Sequence, residues 1–186
     1  PTQVVWNRKF DPVDFRVEKK DEGFELFTDR MHVTYTGGPF TQNSLNLNAV
    51  GGQNAYGAVW YYGEKGDNLG GTARTLDEVD GECPLQEGIM SRSGCSQIDD
   101  SHSLVLDENG WTQVRTGDGV DIYVFAYGND YKEALNDFYR LTGKTPMLPR
   151  YALGNWWSRY WRYSEASYMK LMEDFDKENV PFSVAV

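Results

Sequence analysis

Cysteine and histidine are scarce in this sequence of 186 residues, which contains two of each. Cys83 and Cys95 form no Cys-x-x-Cys pair, and His32 and His102 are far apart in the chain. Metal sites need clusters of such ligands, so we expect no metal and no other cofactor. We interpret the two cysteines as free thiols; a disulfide closing the loop between them is the alternative.

Positive charge and long apolar runs are scarce as well. Eighteen Lys and Arg residues oppose 28 Asp and Glu residues, which gives a net charge of −10. Nucleic-acid binding requires cations that neutralise phosphates, so we expect no nucleic-acid partner. No apolar run approaches the ~18 residues of a membrane span, and no signal peptide is visible. We therefore expect no membrane partner and a cytoplasmic location.

Aromatic residues are abundant instead, and they concentrate in residues 151–163. Six of these thirteen residues are Tyr or Trp, and two are Arg. Rings present flat apolar faces, while Arg and Tyr supply hydrogen bonds, and this combination suits a sugar with apolar C–H faces and a hydroxyl rim. The alternative is an aromatic core patch whose Arg stems extend to water.

Short runs of alternating apolar and polar residues fill the chain from Val4 to Tyr127. The apolar members are Phe15 and Val17, Phe24 and Leu26, Met31, Val33 and Tyr35, and Leu45 and Leu47. Turn-forming residues separate the runs at 21–23, 37–38, 109–110 and 117–119. Such short strands and turns predict a mainly β protein, an antiparallel sandwich or barrel. We expect its core to close within residues 1–127.

A helix and a linker follow the predicted strand over residues 122–127. Asn129 or Asp130 can cap the helix, and Gly143 can end it. Pro146 and Pro149 then favour an extended segment. We therefore predict an N-terminal domain over residues 1–142, a linker over 143–150 and a second domain from residue 151.

The last residues predict a strand, a helix and a second strand. Residues 151–157 form the first strand and residues 182–186 the second. Ser164 can cap a helix with apolar residues at helical spacing, and Asn179 is a candidate C-terminal stop. A βαβ unit begins a parallel sheet, in which ligands bind on loops at the carboxyl ends of strands. The loop of residues 158–163 has this position.

Three motifs in this region resemble glycoside hydrolase family 31, which contains α-glucosidases and α-xylosidases. They are Thr142-Gly143-Lys144-Thr145-Pro146, Leu148-Pro149-Arg150-Tyr151-Ala152-Leu153-Gly154 and Ser158-Arg159-Tyr160. The resemblance is specific from about residue 127 to residue 186 and weak upstream. It implies a β-sandwich like that of galactose mutarotase, followed by the start of a truncated catalytic (β/α)8 barrel.

The resemblance also implies a substrate site for an oligosaccharide. Tyr160 would line the subsite of the sugar that is cleaved. Arg159 and Trp157 are further candidate substrate contacts, and a structural role is the alternative for Arg159. In the family, a loop of the sandwich adds an acidic residue to this site. The corresponding candidates are Asp77 and Asp80, with Arg74 on the same loop of residues 63–88. Leu69, Leu76, Val79 and Leu85 allow this loop to pack. The alternative is a solvated surface loop.

The family is known for two catalytic aspartates on later barrel strands, and this chain ends at Val186. Neither Asp99-Asp100 nor Asp174 matches their motifs, so we expect no catalytic residue in this chain. The expected function is therefore that of an inactive N-terminal fragment of a retaining α-glycosidase that hydrolyses α-glucosidic or α-xylosidic bonds. A stand-alone carbohydrate-binding or interaction module is the alternative. Because the final strand lacks neighbours, we expect the barrel piece to be poorly ordered or to pack on a second copy in a homo-oligomer.

Overall fold

The computed structural model describes residues 1–49, 58–73 and 75–186. Contacts divide the chain into two compact units, residues 1–144 and residues 145–186, which are called unit 1 and unit 2 below. Among the residues described, no helix is both long enough and apolar enough to cross a membrane.

Unit 1 is mainly β and contains a five-stranded antiparallel sheet whose strands follow chain order. The strands are β1 (Arg16–Lys19), β2 (Phe24–Phe27), β3 (Met31–Tyr35), β4 (Leu45–Ala49) and β5 (Ala58–Tyr61). The predicted alternation places Leu26, Val33, Leu47 and Trp60 in one cross-strand row. Leu47 and Trp60 are buried in a core cluster with Cys95. Phe15, which was predicted to share the first strand, precedes β1 and is exposed.

Two further strand pairs complete unit 1. The first joins β6 (Cys95–Asp99) to β9 (Ile122–Ala126), and the second joins β7 (Val105–Leu106) to β8 (Thr112–Gln113); both are antiparallel. The Asp107 carboxylate accepts backbone N–H bonds from Asn109 and Trp111, both at 2.9 Å, which stabilises the predicted β7–β8 turn.

Helix α1 (Tyr131–Thr142) contributes to the second core cluster of unit 1. Val5 and Phe125 are buried there with Leu141 from the helix. The expectation that the core closes within residues 1–127 is therefore wrong, because Leu141 is a buried member of this cluster and Phe138 packs against it. The helix begins after Asp130, as predicted, but the Asp130 side chain makes no capping hydrogen bond.

An unpredicted polar network holds the N-terminal residues of unit 1. The Thr2 hydroxyl lies 2.9 and 3.0 Å from the two carboxylate oxygens of Asp100, which is fully buried. The Arg115 Nη2 lies 3.4 Å from the same carboxylate. Since a buried charge is tolerated only when it is paired and hydrogen-bonded, these contacts explain how Asp100 can lie inside.

Unit 2 contains β10 (Trp156–Trp157), α2 (Glu165–Lys177) and β11 (Val184–Ala185). The two strands pair in parallel, with Trp156 opposite Val184. The predicted strand over residues 151–157 is wrong in its first part, because Arg150–Leu153 form a 3₁₀ helix. The strand prediction missed this turn, which is closed by an N–H bond from Ala152 to the Pro149 carbonyl at 3.0 Å.

The predicted signals at both ends of α2 are confirmed. Ser164 caps the helix by accepting an N–H bond from Ser167 at 3.2 Å, and the Ser167 hydroxyl accepts the N–H of Ser164 at 2.9 Å. Asn179, just beyond the helix, has a φ of 53°. This left-handed conformation suits Asn and is a common way to end a helix.

Candidate functional site

The loop of residues 158–163 follows β10 directly and carries two of the predicted substrate-binding residues. Tyr160 is fully exposed, and Arg159 is also exposed. The Arg159 guanidinium carbon lies 4.7 Å from the centre of the Trp161 ring, a cation–π distance. An exposed phenol beside a guanidinium stacked on an indole presents both an apolar surface and hydrogen-bond donors to a ligand.

Trp157, the third predicted residue of unit 2, belongs to a cluster of rings beneath α2. Its ring centre lies 5.2 Å from that of Phe175, 6.3 Å from Tyr168 and 6.4 Å from Tyr163. These contacts pack the helix onto β10. Trp157 thus has a packing role, and its contact with a substrate stays a prediction.

In unit 1, the predicted loop of residues 63–88 has a well-defined base. Asn68 is its central residue: Nδ2 donates to the Gly88 carbonyl at 2.8 Å, and Oδ1 accepts the N–H groups of Gly70 and Gly88, both at 2.9 Å. A bond from the Gly71 N–H to the Gln86 carbonyl at 2.7 Å extends this pairing. The two ends of the loop are therefore held together by an amide that satisfies three backbone groups.

Gly88 is required at this base because the backbones approach closely. A Cβ atom on Gly88 would lie 2.9 Å from the Gly70 carbonyl oxygen and 3.0 Å from the Gly71 Cα. Both neighbours are backbone atoms, which cannot rotate away as a side chain can. Sequence reasoning did not identify Asn68 as an anchor, although an Asn near several glycines is a recognisable signal for such a turn.

The tip of this loop carries the predicted acidic residues. Asp77 and Asp80 are both exposed, and the Asp77 N–H donates to the Thr75 hydroxyl at 3.1 Å. Arg74, the predicted cation, lies outside the described residues. Leu69, Leu76, Val79 and Leu85 are all exposed, Leu76 by as much as 70%, so the expectation that the apolar residues of the loop pack is wrong.

The remaining carboxylates named from the sequence have structural partners. Asp174 on α2 accepts a bond from Lys170 Nζ at 2.7 Å and lies 3.5 Å from Lys177 Nζ. The hydrogen bond from Lys170 lowers the pKa of Asp174, so this carboxylate is ionised at neutral pH and is unsuited to donate a proton. Asp99 ends β6, and the side-chain and backbone hydrogen bonds of Ser101 lower its pKa.

The described residues contain no group of three or more His, Cys, Asp or Glu side chains that could hold a metal ion. The side chains of the candidate residues can supply stacking and hydrogen bonding. Tyr160 and Arg159 of unit 2 can supply both, and the carboxylates of Asp77 and Asp80 in unit 1 can accept hydrogen bonds from hydroxyl groups.

Comparison with known proteins shows two partial similarities to glycosidases. The chain is 30% identical over 104 residues to an α-xylosidase of Saccharolobus solfataricus, which covers 53% of this chain and 14% of that protein. It is 35% identical over 68 residues to α-glucosidase 2 of Bacillus thermoamyloliquefaciens, which covers 37% of this chain and 8% of that protein. The chain thus aligns with a small part of each relative's length. No family model matches the chain.

Proposed function

We propose that this chain is the amino-terminal part of a retaining α-glycosidase that hydrolyses α-glucosidic or α-xylosidic bonds in oligosaccharides. In this proposal residues 1–142 form a β-sandwich like that of galactose mutarotase. Residues 143–150 are a linker, and residues 151–186 are the first βαβ piece of a (β/α)8 barrel. The partial similarities to an α-xylosidase and an α-glucosidase support the reaction class.

The position of Tyr160 is the observation that carries the proposal. It is fully exposed on the loop that directly follows β10, and β10 pairs in parallel with β11 across α2. Active sites of (β/α)8 barrels lie on the loops at the carboxyl ends of the strands. A side chain that must contact a sugar at this place has to be free of packing contacts within its own unit, and Tyr160 meets this requirement.

The proposed roles follow from the chemistry of each side chain. Tyr160 would stack on an apolar face of the sugar that is cleaved and offer its hydroxyl to the reacting centre. Arg159, held by its contact with Trp161, would donate to sugar hydroxyls. In unit 1, we propose Asp77 or Asp80, on the loop anchored by Asn68, and Arg74 as further sugar contacts. The two carboxylates that a retaining glycosidase uses as nucleophile and acid/base lie about 5–5.5 Å apart, and we assign neither to this chain.

The test is made on the full-length protein from the source gene. We expect two aspartates at the ends of later barrel strands and release of p-nitrophenol from an aryl α-glucoside or α-xyloside. Proton NMR should show that the first-formed sugar keeps the α configuration, and changing either aspartate to Asn should abolish turnover. A full-length protein that binds oligosaccharides but cleaves none would favour a binding module and overturn the proposal.

A further inference from the structure

A cleft of about 560 Å³ lies within unit 1, apart from every residue assigned to the glycosidase site. Five segments line it: Val13 before β1, the β2–β3 turn, Ala49 at the end of β4, the end of β9 with the residues that follow it, and the first two turns of α1. Clefts that bind small molecules usually measure about 300–1,000 Å³, so this one has room for a ligand.

The lining of the cleft combines an apolar floor with a charged rim. The floor residues are Val13, Met31, Ala49, Val124 and Ala126. The charged residues are Asp29, Arg30, Asp130, Glu133 and Asp137. Ala49 belongs to the buried core cluster around Leu47 and Trp60, and Met31, Val124 and Ala126 pack against that cluster, so these four residues are a fixed part of the fold; Val13 is exposed.

Internal hydrogen bonds hold the two walls in place. On the helix side, the Tyr127 hydroxyl donates to Asp137, and Arg140 Nη1 donates to the other oxygen of Asp137 at 3.0 Å. On the turn side, the Thr28 hydroxyl accepts the N–H groups of Arg30 at 3.1 Å and Met31 at 2.9 Å. A wall that is ordered beforehand lowers the entropic cost of binding.

Two carboxylates of the rim lie at the start of α1: Asp130 at the cap position and Glu133 in the first turn. Asp130 occupies the position from which an Asp usually caps a helix, yet its carboxylate makes no capping bond and lines the cleft. Glu133 follows one turn later and lines the same wall. Arg30 also lines the cleft; its Nε lies 3.8 Å from a carboxylate oxygen of Asp29, and its side chain is 77% exposed, which leaves the other guanidinium N–H groups accessible to a ligand.

We propose that this cleft binds a neutral mono- or disaccharide. Sugar hydroxyls can donate to the carboxylates of Asp130 and Glu133 and accept from the guanidinium of Arg30, while an apolar C–H face covers the floor. An anionic ligand would be repelled by the four carboxylates of the lining. A simple amine could form ion pairs with the carboxylates, but it would leave the apolar floor exposed to water. The positive charge of Arg30 would also repel it.

The test uses the full 186-residue chain, labelled with ¹⁵N, and titrates it with maltose and with xylose. The binding of a small neutral sugar should be weak, on the order of 1–10 mM. We expect the amide signals of residues 28–31 and 124–130 to shift together with added sugar. The absence of any shift in these residues at 100 mM sugar would overturn the proposal.

Matched variants show whether the sugar binds at this cleft or at the exposed loop of unit 2. Glu133→Ala should weaken binding about fivefold, since one hydrogen bond to a charged group is lost. Glu165→Ala, at the first turn of α2, is the control and should leave the affinity unchanged. Binding that is lost in Tyr160→Ala but kept in Glu133→Ala would contradict the proposal, as would tight binding of spermidine with no binding of sugar. Because binding is measured directly, the result is independent of whether the full-length protein hydrolyses glycosides.

Discussion

Asn68 and Gly88, twenty residues apart in the chain, are joined by two hydrogen bonds in opposite directions. The Asn68 side chain donates to the Gly88 carbonyl and accepts the Gly88 N–H, as a paired backbone would. The amide thus closes the loop whose tip carries Asp77 and Asp80. In the proposed enzyme, this closure determines how precisely the loop can present a carboxylate to a sugar.

Replacing Asn68 with Ala should loosen this loop. The variant leaves partly buried backbone groups of Gly70 and Gly88 without their partner, and we expect a loss of about 1–3 kcal/mol in the free energy of unfolding. Hydrogen exchange should accelerate at the amides of Gly71 and Gln86, which lie in the paired base. Asn48→Ala, on an exposed position of β4, is the control; equal exchange at the loop base in both variants would contradict the anchoring role.

Replacing Tyr127 with Phe should change how stability depends on alkaline pH. Burial, followed by the hydrogen bond to Asp137, raises the pKa of Tyr127 above the ordinary value of about 10. Below about pH 10 the phenol is protonated in both the folded and the unfolded chain, and its stabilisation is fully present. As the pH rises above 10, the unfolded chain ionises first, and the stabilisation is lost progressively towards the folded pKa.

Urea unfolding of the wild type and of Tyr127→Phe at several values between pH 8 and pH 11 measures this effect. We expect the wild type to be more stable by about 1 kcal/mol up to about pH 9.5, and this advantage to shrink above pH 10. Other tyrosines are shared by both proteins and cancel in the difference. An advantage that stays constant to pH 11 would show that folding does not perturb the Tyr127 phenol.

The two free thiols should differ strongly in reactivity. Burial, with a smaller contribution from the Glu64 carboxylate, raises the pKa of the Cys95 thiol to about 11, and Cys95 is only 4% exposed. Because the thiolate is the reactive form, Cys95 should react with a disulfide reagent at pH 8 about a hundredfold more slowly than an ordinary thiol. Cys83 is half-buried on the long loop and should react first.

Ellman's reagent distinguishes the two cysteines. One equivalent of thiol should react rapidly in the native protein, and the second only after guanidinium is added. In Cys83→Ser the rapid phase should vanish. A rapid phase that persists in Cys83→Ser would mean that Cys95 is accessible in the native state.

The isolated chain should hydrolyse no glycoside, because we assign neither catalytic carboxylate to it. The measurement is p-nitrophenol release from aryl α-glucosides and α-xylosides, with a mock purification as the control for contaminating enzymes. Turnover that copurifies with the chain and exceeds the mock sample would refute this expectation.

In the full-length enzyme, Tyr160→Ala should lower kcat/KM at least tenfold. Stacking and one hydrogen bond to the reacting centre together contribute roughly 1–3 kcal/mol to transition-state binding. Since Tyr160 is fully exposed in unit 2, the melting temperature of the isolated chain should not change. Tyr139→Ala, on α1, is the control and should leave kcat/KM nearly intact. A lower melting temperature with unchanged kinetics would instead make Tyr160 a packing residue.

Local signals in the sequence predicted much of the secondary structure. The apolar side chains of β3 and β4 alternate with period two, and Val33 and Leu47, paired across the strands, belong to the core cluster around Trp60 as expected. Ser164 and Asn179 act within one helical turn of their positions, so their effect on α2 could be inferred without knowing what the helix packs against. Cys83 and Cys95 are free thiols, as predicted from the sequence, and form no disulfide with each other.

Tertiary structure decided the features that join residues distant in sequence. Leu141 is part of the core because α1 packs against Val5 and Phe125, and no local sequence pattern specifies that packing. The same holds for the Asn68 anchor, whose partner Gly88 lies across a loop, and for the cleft beside α1, whose lining residues come from five separate segments. Sequence alone identified Tyr160 and Trp157 as aromatic residues of one stretch. Only packing separated them, because α2 covers the ring of Trp157 and leaves that of Tyr160 in solvent.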